Sequence, residues 1–307
     1  MTESAFTSAR AGRLDRAVLW LRGARPRTLF ISFAPILVGF AHATTLTPVV
    51  AKLPVLAAAI SALAIQIATN LANDAADGAR GGDGPARLGP QRLTGAGLMP
   101  ASTVAGGALA ATLIAALFGA IAVFHGGWPI LAIGVASLLA GWGYSYGPRP
   151  ISASPLGEIF VVLFFGVAAV TGTVWLGAGR VDPTALLLGL AIGLPAAAVL
   201  TVNNHRDRVE DAGNGRRTLA IRLGPERTVA LYAGELVAAS LIAAVALAPL
   251  TMIGAGVVAA SAVGALPLAR RLAATPVGRA INLRLADTAR FQAILALLVA
   301  LLLWWRP

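Results

Sequence analysis

Long apolar stretches, separated by short polar segments, make up most of this chain. Each stretch has about 20 residues or more, the length that a helix needs to cross the hydrocarbon core of a bilayer. The strict alternation of polar and apolar residues that marks a membrane β-barrel is missing. The pattern therefore predicts an all-α protein whose helices span a membrane. The uncharged runs cover residues 28–51, 53–73, 93–148, 159–179, 183–205 and 236–269.

Proline and glycine divide these stretches into nine predicted transmembrane helices. Pairs such as Gly126-Gly127 and Asp182-Pro183 interrupt the apolar runs, and these residue types commonly end one helix or start the next. The predicted spans cover residues 28–47, 52–75, 100–124, 128–143, 156–177, 183–205, 226–246, 249–268 and 285–305.

Composition and charge agree with a membrane location and predict an orientation. Of the 307 residues, 57% are hydrophobic and only 12% are charged, whereas a soluble domain carries about 25% charged residues. The net charge is +11, and every basic residue except Lys52, Arg180 and Arg306 lies on one side of the predicted spans. Cytoplasmic loops carry such an excess, so we expect a multi-pass protein of the cell (inner) membrane, with its amino terminus inside and its carboxyl terminus outside. The basic residues then indicate topology and not a nucleic-acid partner.

Residues 1–27 precede the first predicted span. Charged residues interrupt their apolar positions Leu14, Val18 and Trp20, so the segment lacks the apolar core of a signal peptide. The spacing is typical of a short amphipathic helix on the anionic inner leaflet, and a solvated basic tail is the alternative. We therefore divide the chain into a cytoplasmic amphipathic segment and a nine-helix domain over residues 28–307.

Acidic residues and asparagines form a column at the end of two predicted helices. Asn73 and Asp77 lie at and just beyond the end of the second predicted helix, and Asn203, Asp207 and Asp211 lie at and just beyond the end of the sixth. Neighbours in each column are four residues apart, so their side chains stack on one helical face. Both columns lie on the cytoplasmic side of the predicted topology, so we expect their oxygen atoms to face each other at the mouth of the bundle.

The two columns also suggest an internal repeat. Asn73 and Asp77 have the same separation from Asn203 and Asp207, with four predicted helices between them. Membrane proteins often contain structural repeats of this kind. The nine-helix domain then contains a possible four-helix pseudo-repeat, with motifs at residues 70–83 and 203–218.

The donor atoms in the columns suit magnesium. The chain has no cysteine, and carboxylate and amide oxygens are hard ligands of the kind that Mg²⁺ prefers. Protein-bound Mg²⁺ usually takes one or two carboxylates together with the phosphates of a substrate. Such a site in a membrane indicates a phosphorylated substrate with a lipid tail, and we expect a polyprenyl diphosphate.

Arginines and tyrosines near the columns are candidates for substrate binding. The forked donors of arginine bind phosphate oxygens well, although topology alone also places arginines in these loops. Tyr144 and Tyr146 end the fourth predicted helix, where they either stabilise an allylic cation by cation–π contact or belong to an interfacial aromatic belt. The candidate arginines are Arg87, Arg92, Arg149, Arg206, Arg216 and Arg217.

The two motifs read Asn73-Asp74-x-x-Asp77 with Asp83, and Asn203-Asn204-x-Arg206-Asp207-x-x-x-Asp211. In this form they resemble the aspartate-rich motifs of the UbiA-type intramembrane prenyltransferases, and the resemblance extends over most of the chain. Within that superfamily the chain is most similar to the 1,4-dihydroxy-2-naphthoate polyprenyltransferases of menaquinone biosynthesis. The segments that carry this closer similarity are Arg25-Pro-Arg-Thr-Leu29, Arg87-Leu-Gly-Pro-Gln-Arg-Leu93 and Tyr144-x-x-Gly-x-Arg149-Pro150.

The resemblance implies a fold and a reaction. The fold is nine transmembrane helices around a central cavity, with the prenyl tail running toward membrane lipid. The reaction is the Mg²⁺-dependent transfer of a polyprenyl group from polyprenyl diphosphate to 1,4-dihydroxy-2-naphthoate. Diphosphate and CO₂ leave, and demethylmenaquinone forms.

Roles for individual residues follow as well. Asn204, with the arginines and tyrosines named above, would contact the substrates. A base that removes a ring hydroxyl proton makes the acceptor a better nucleophile, and Asp74, Asp83 and Glu210 are the candidates. The resemblance implies that magnesium and diphosphate are held by Asn73, Asp77, Asp207 and Asp211. The second column adds Asn203 to the expected metal ligands.

Three alternatives stay open. A related enzyme would prenylate another aromatic acceptor, such as 4-hydroxybenzoate, homogentisate or a chlorin. A CDP-alcohol phosphotransferase is the second alternative, because the motif of that class begins with the same pattern as Asp74-x-x-Asp77-Gly78. The motif continues with Ala-Arg, however, whereas this chain has Gly81 and Gly82 at those positions. An ion-coupled transporter would carry its acids near mid-membrane, whereas here they end helices on one side.

Overall fold

The computed structural model describes residues 15–79, 88–148 and 150–305, and every regular element in these ranges is helical. The described part of α1 covers residues 15–24. Between α4 and α7, a 3₁₀ turn at Ile151–Ala153 leads into one continuous span that consists of α5 Gly157–Val162, a π-helical turn Leu163–Ala168 and α6 Ala169–Ala178. The longer helices are α2 Pro26–Leu46, α3 Lys52–Ala79, α4 Ala101–Ser145, α7 Pro183–Gly213, α8 Leu219–Leu247, α9 Met252–Ala274 and α10 Ile281–Trp304.

Nine apolar spans are present in the described residues, because α4 contains two of them. Eight helical segments there are long and apolar enough to cross a membrane. In α4, Gly127 departs from helical geometry with φ 66° and ψ −154°, and glycine adopts such a positive φ without steric cost. Beyond this break the chain runs back, so that the Trp142 indole N–H donates to the Thr112 hydroxyl at 3.2 Å. The expected number of spans is confirmed, and the chain is a multi-pass membrane protein.

Both motif-bearing helices extend beyond the ends expected from sequence. α3 continues to Ala79 and α7 continues to Gly213. From the lengths of the apolar runs, we expected these helices to end near residues 75 and 205. The extra turns keep the motif columns in helical geometry, because residues four apart stay on one face. The motif residues are therefore carried by the same helices that form the bundle.

Helix α1 packs on the bundle through Trp20. This side chain belongs to a hydrophobic cluster with Leu71 of α3 and Val104 of α4. Its ring fits because Gly107 has no side chain, since a Cβ at that position would lie 2.4 Å from the ring. Helix α1 therefore contacts protein, while its placement on the inner leaflet stays a prediction.

The α5–α6 span contacts α7 almost backbone to backbone. A Cβ at Gly166 would lie 2.4 Å from the carbonyl oxygen of Gly189, and a Cβ at Gly193 would lie 2.8 Å from the carbonyl oxygen of Val162. Small residues commonly permit such close packing of helices in membranes. The π-helical turn lies at this contact, so the glycines hold it firmly against α7.

A cavity of about 1700 Å³ lies within the bundle. Its wall is mainly apolar and includes Phe160 and Phe164, whose stacked rings have centroids 5.9 Å apart. Polar side chains, among them Asn73 and Asn203, line the cavity on the side where α3 and α7 end. We call this side the motif end. The central cavity implied by the resemblance is thus present.

Candidate active site

The carboxylates of the two motifs face each other across Arg216. Its guanidinium Nη2 lies 3.2 Å from Asp77 Oδ1, and its Nη1 lies 3.4 Å from Asp211 Oδ1. Burial lowers the pKa of Arg216, but the carboxylates of Asp211 and Asp77 more than offset this effect and raise its pKa above the ordinary value. One side chain therefore bridges α3 and α7, which shows that the two motif ends converge on one site.

Asp77 is also held by a second arginine. Its Oδ2 accepts a hydrogen bond from Nη1 of Arg92, which lies in the loop after α3. Both residues are buried, since Asp77 is 6% exposed and Arg92 is 7% exposed. A charge removed from water is costly unless it is paired, so these contacts offset the cost of burying the Asp77 carboxylate. Arg92, expected at the phosphates, thus lies directly beside a candidate metal ligand.

Asp74 contacts a loop and not the cavity. Its carboxylate accepts hydrogen bonds from the backbone N–H groups of Leu93 (2.9 Å) and Thr94 (3.0 Å) and from the Thr94 hydroxyl (2.6 Å). Asp74 is 2% exposed, and the cavity-lining residues in the described ranges do not include it. Asp74 therefore ties the loop that carries Arg92 to α3.

Arg206 is an internal counter-ion of the second motif. It is 2% exposed and makes two hydrogen bonds to Asp207, from Nε at 2.7 Å and from Nη2 at 2.6 Å. Nη2 also donates to Asn203 Oδ1 and Nη1 to Asn282 Oδ1, each at 2.6 Å. A bidentate arginine of this kind fixes the orientation of a carboxylate. Arg206, expected to bind phosphate, therefore orients two candidate metal ligands in this structure.

Of the candidate residues, Asn73, Tyr144 and Asn203 line the cavity. Arg25, which sequence reasoning did not select as a site residue, lines it too. It lies between α1 and α2 with φ 54°, a left-handed conformation that is uncommon for residues other than glycine. The signal that pointed to Arg25 was its place in a segment that resembles the family. The other polar lining residues that sequence reasoning missed include Arg22, Asn70, Gln91 and Asn282.

Two candidate substrate-binding residues contact protein in this structure. The Asn204 side-chain amide donates to Glu158 Oε1 at 2.8 Å, and both residues are buried. Tyr146 packs against Trp142, with ring centroids 5.4 Å apart, in the cluster that contains Leu71. These contacts attach α7 to α5 and the end of α4 to α3. Neither side chain belongs to the cavity wall in the described ranges.

The remaining candidates lie at the edge of the site or outside the described residues. Glu210 is half-buried near the end of α7. Arg217 is exposed, and its backbone N–H donates to the carbonyl oxygen of Ala153 at 2.8 Å. The candidates outside the described residues are Asp83, Arg87 and Arg149.

The chemistry of the donor set suits magnesium. In the part of the chain that the structure describes, no three acidic or histidine side chains lie close enough together to hold a metal ion by themselves. Asp77, Asp207 and Asp211 offer carboxylate oxygens, and Asn73 and Asn203 offer amide oxygens, which are ligands that Mg²⁺ accepts. Because substrate phosphates usually supply further ligands, a site of this composition fits a metal that binds together with a diphosphate.

Known protein sequences match the chain over most of its length. The sequence profile of the UbiA prenyltransferase family matches residues 32–276. The chain is 38% identical over 287 residues to the 1,4-dihydroxy-2-naphthoate octaprenyltransferase of Mycobacterium tuberculosis, a match that covers 92% of this chain and 95% of the relative. It is 36% identical over 224 residues to the Escherichia coli protein of the same name, covering 69% of this chain and 70% of that relative.

Solved structures share the fold. A UbiA homolog from Archaeoglobus fulgidus bound to DMAPP and Mg²⁺ superimposes with a TM-score of 0.69 at 16% identity, covering 94% of this chain and 99% of that one. An apo UbiA homolog from Aeropyrum pernix gives a TM-score of 0.65 at 16% identity, covering 89% and 97%. At this identity the similarity concerns the arrangement of helices.

Proposed function

The chain belongs to the UbiA prenyltransferase family and is an aromatic prenyltransferase, and we propose that it transfers a polyprenyl group from polyprenyl diphosphate to 1,4-dihydroxy-2-naphthoate. The products would be diphosphate, CO₂ and the quinol form of demethylmenaquinone, because the transfer itself involves no oxidant. The observation that carries this proposal is the convergence of Asp77 and Asp211 on Arg216 at the motif end of a large apolar cavity. The choice of acceptor rests on the relatives named 1,4-dihydroxy-2-naphthoate octaprenyltransferase.

The diphosphate would bind at the motif end. When bound there, magnesium neutralises the negative charge that develops on the departing diphosphate. Arg92 and Arg216 lie beside Asp77, and we propose that their guanidinium groups bind phosphate oxygens. Arg87, Arg149 and Arg217 are further proposed phosphate ligands. The proposed metal ligands are Asn73, Asp77, Asn203, Asp207 and Asp211.

The prenyl tail would occupy the apolar part of the cavity. When the bond between the allylic carbon and the phosphate oxygen breaks, positive charge develops on the tail, and an apolar wall keeps water away from it. Tyr144, Phe160 and Phe164 line this cavity, and aromatic rings attract cations. The wall thus favours attack by the aromatic acceptor over capture by water.

The acceptor requires a base. Removal of a ring hydroxyl proton makes the ring carbon a stronger nucleophile. The ring carbon that bears the carboxylate forms the new bond to the prenyl group. The carboxylate then leaves as CO₂, and its bonding electron pair returns to the ring. Asp74 already accepts three hydrogen bonds from a loop, so we propose Glu210 or Asp83 for this role.

We propose further that the motif end faces the cytoplasm from the inner membrane. The arginines at this end support that orientation, because cytoplasmic loops carry the excess of basic residues. Lys52 begins α3 and Arg180 precedes α7, so both lie at the opposite end. The amino terminus would then be inside and the carboxyl terminus outside.

An assay of membranes that contain the protein tests the proposed reaction. The membranes are supplied with Mg²⁺, a radiolabelled polyprenyl diphosphate and, one at a time, 1,4-dihydroxy-2-naphthoate, 4-hydroxybenzoate or homogentisate. We expect prenylation of the naphthoate with release of one CO₂ per product, and loss of the reaction with EDTA. A preference for 4-hydroxybenzoate, without CO₂ release, would overturn the choice of acceptor.

A further inference from the structure

Asn282, near the start of α10, contacts the elements that carry both motifs. Its Oδ1 accepts a hydrogen bond from Arg206 Nη1 at 2.6 Å, and its Nδ2 donates to the carbonyl oxygen of Leu88 at 2.9 Å. Arg206 lies within the second motif, and Leu88 lies in the loop that follows the first motif. One side chain on a helix that carries neither motif therefore joins the two.

On the α7 side, Asn282 completes the contacts of a buried guanidinium. The other nitrogens of Arg206 bond to Asp207 and Asn203, so the orientation of Arg206 sets the positions of both residues. Without the Asn282 oxygen, a buried charged donor would lose its acceptor, which is costly. The guanidinium would then turn toward another acceptor, and the oxygens of Asp207 and Asn203 would move with it.

On the α3 side, Asn282 anchors a loop that contacts the first motif. A few residues beyond Leu88, the same loop provides Arg92, which pairs with Asp77. It also provides the N–H groups of Leu93 and Thr94 that hold Asp74. The bond to Leu88 fixes the near end of this loop against α10, so it restrains the approach of Arg92 to Asp77.

We propose that Asn282 is a positioning residue that fixes the two halves of the diphosphate site relative to each other. This inference rests on the proposed function, because Asn282 acts through Arg206 on Asp207 and through the loop on Asp77. Both of its polar groups are already bonded to protein, which favours a positioning role over direct contact with substrate.

Two substitutions separate the contacts of Asn282. Asn282→Leu keeps the branched shape of the side chain, at a larger volume, and removes both hydrogen bonds. Asn282→Asp keeps an acceptor for Arg206 and removes the donor to Leu88. Arg279→Ala is the matched control, since Arg279 is exposed in the loop just before α10. The measurements are the KM for polyprenyl diphosphate, the KM for the acceptor, the affinity of a non-reactive prenyl thiodiphosphate with Mg²⁺, and amide hydrogen exchange over residues 88–94.

We expect Asn282→Leu to raise the KM for the diphosphate and to weaken analogue binding by about tenfold, the size of effect that loss of a hydrogen bond to a charged group produces. The KM for the acceptor should change less than about twofold. In the proposed site both motifs together hold the diphosphate, whereas they do not together hold the acceptor ring. Exchange over residues 88–94 should accelerate in Asn282→Leu and Asn282→Asp, and Arg279→Ala should behave as wild type.

Wild-type KM, analogue affinity and exchange in Asn282→Leu would overturn the inference. A uniform fall in kcat and in folded yield, with unchanged analogue affinity, would overturn it too, because that result describes ordinary packing. If Asn282→Leu fails to fold, Asn282→Asp decides through the loop contact alone, and unchanged hydrogen exchange over residues 88–94 would then overturn the inference. The wild-type protein tests the proposed function separately: if it binds no prenyl thiodiphosphate with Mg²⁺, the proposed function fails whatever Asn282 does.

Discussion

Pairs of a carboxylate and an arginine organise the motif end at the scale of single residues. Asp77 contacts Arg92 and Arg216, and Asp207 contacts Arg206. Pairing of this kind offsets the cost of burying a charge. Asp74 differs, because its hydrogen-bond donors are two backbone N–H groups and a hydroxyl. Substitutions at Asp77 and Asp74 should therefore have different effects.

Asp77→Asn should reduce turnover about 100-fold or more, as expected when a group that stabilises developing charge is lost. The amide is isosteric with the carboxylate but neutral, so it binds magnesium and both arginines more weakly. Glu226→Gln, which neutralises an exposed acid on α8, is the control and should keep wild-type turnover. Initial rates at saturating substrate test this expectation, and a wild-type rate for Asp77→Asn would remove Asp77 from the metal site.

Asp74→Asn should act mainly on stability. An asparagine offers one oxygen where the carboxylate offers two, so a buried donor in the loop loses its acceptor at a cost of about 1–3 kcal/mol. We expect a lower midpoint of thermal unfolding and an unchanged shape of the pH–rate profile. The reverse result, an altered basic or acidic limb with unchanged thermal stability, would identify Asp74 as the catalytic base.

At the scale of helices, Asp182 caps α7 and joins it to α2. Its Oδ1 accepts from the Ala185 N–H at 2.9 Å and lies 2.8 Å from His42 Nε2. Partial burial raises the pKa of Asp182, but the hydrogen bonds from His42 and Ala185 outweigh it and hold the pKa below the ordinary value. Such a carboxyl group stabilises the folded state above its unfolded pKa, and the contribution is lost as the pH falls through the folded pKa.

Asp182→Ala should lower the free energy of unfolding at neutral pH by about 1–2 kcal/mol, because a helix loses its N-cap. The difference from wild type should begin to shrink below about pH 4, where an unperturbed aspartate starts to take up a proton. Asp182→Asn, which retains a good capping side chain, should lose less. Thermal unfolding in detergent across this pH range tests the expectation, and a difference that is independent of pH would contradict it.

The glycine contact between the α5–α6 span and α7 supports a second prediction at this scale. A Cβ at residue 166 would lie 2.4 Å from the Gly189 carbonyl oxygen and 2.6 Å from the Gly193 Cα. Backbone atoms of two packed helices cannot yield easily, so Gly166→Ala should destabilise the protein by about 1–3 kcal/mol. Gly256→Ala on α9 is the control, because a Cβ there meets nothing within 4 Å. Equal unfolding temperatures for the two variants would show that the contact is not tight.

For the whole molecule, sequence patterns predicted the spans and the two motif columns, because hydrophobic length and helical spacing are local properties of each segment. They did not predict which faces of the helices pack together. They therefore did not predict that Arg92 and Arg206 pair with Asp77 and Asp207, which the structure shows. Asn282 belongs to neither motif, so no sequence pattern pointed to it. Its proposed role depends on the placement of α10 beside α7 and beside the loop at Leu88.

Orientation in the membrane is a property of the whole molecule, and the absence of cysteine makes it directly testable. Single cysteines introduced by Lys52→Cys and by Thr275→Cys lie at opposite ends of the bundle, because α3 begins with Lys52 at the end away from the motifs and α9 ends before Thr275 at the motif end. The excess of arginine at the motif end predicts that this end is cytoplasmic. A membrane-impermeant maleimide applied to intact cells should therefore label Lys52→Cys, and should label Thr275→Cys only after permeabilisation. Labelling in the opposite order would reverse the proposed topology and place diphosphate release outside the cell.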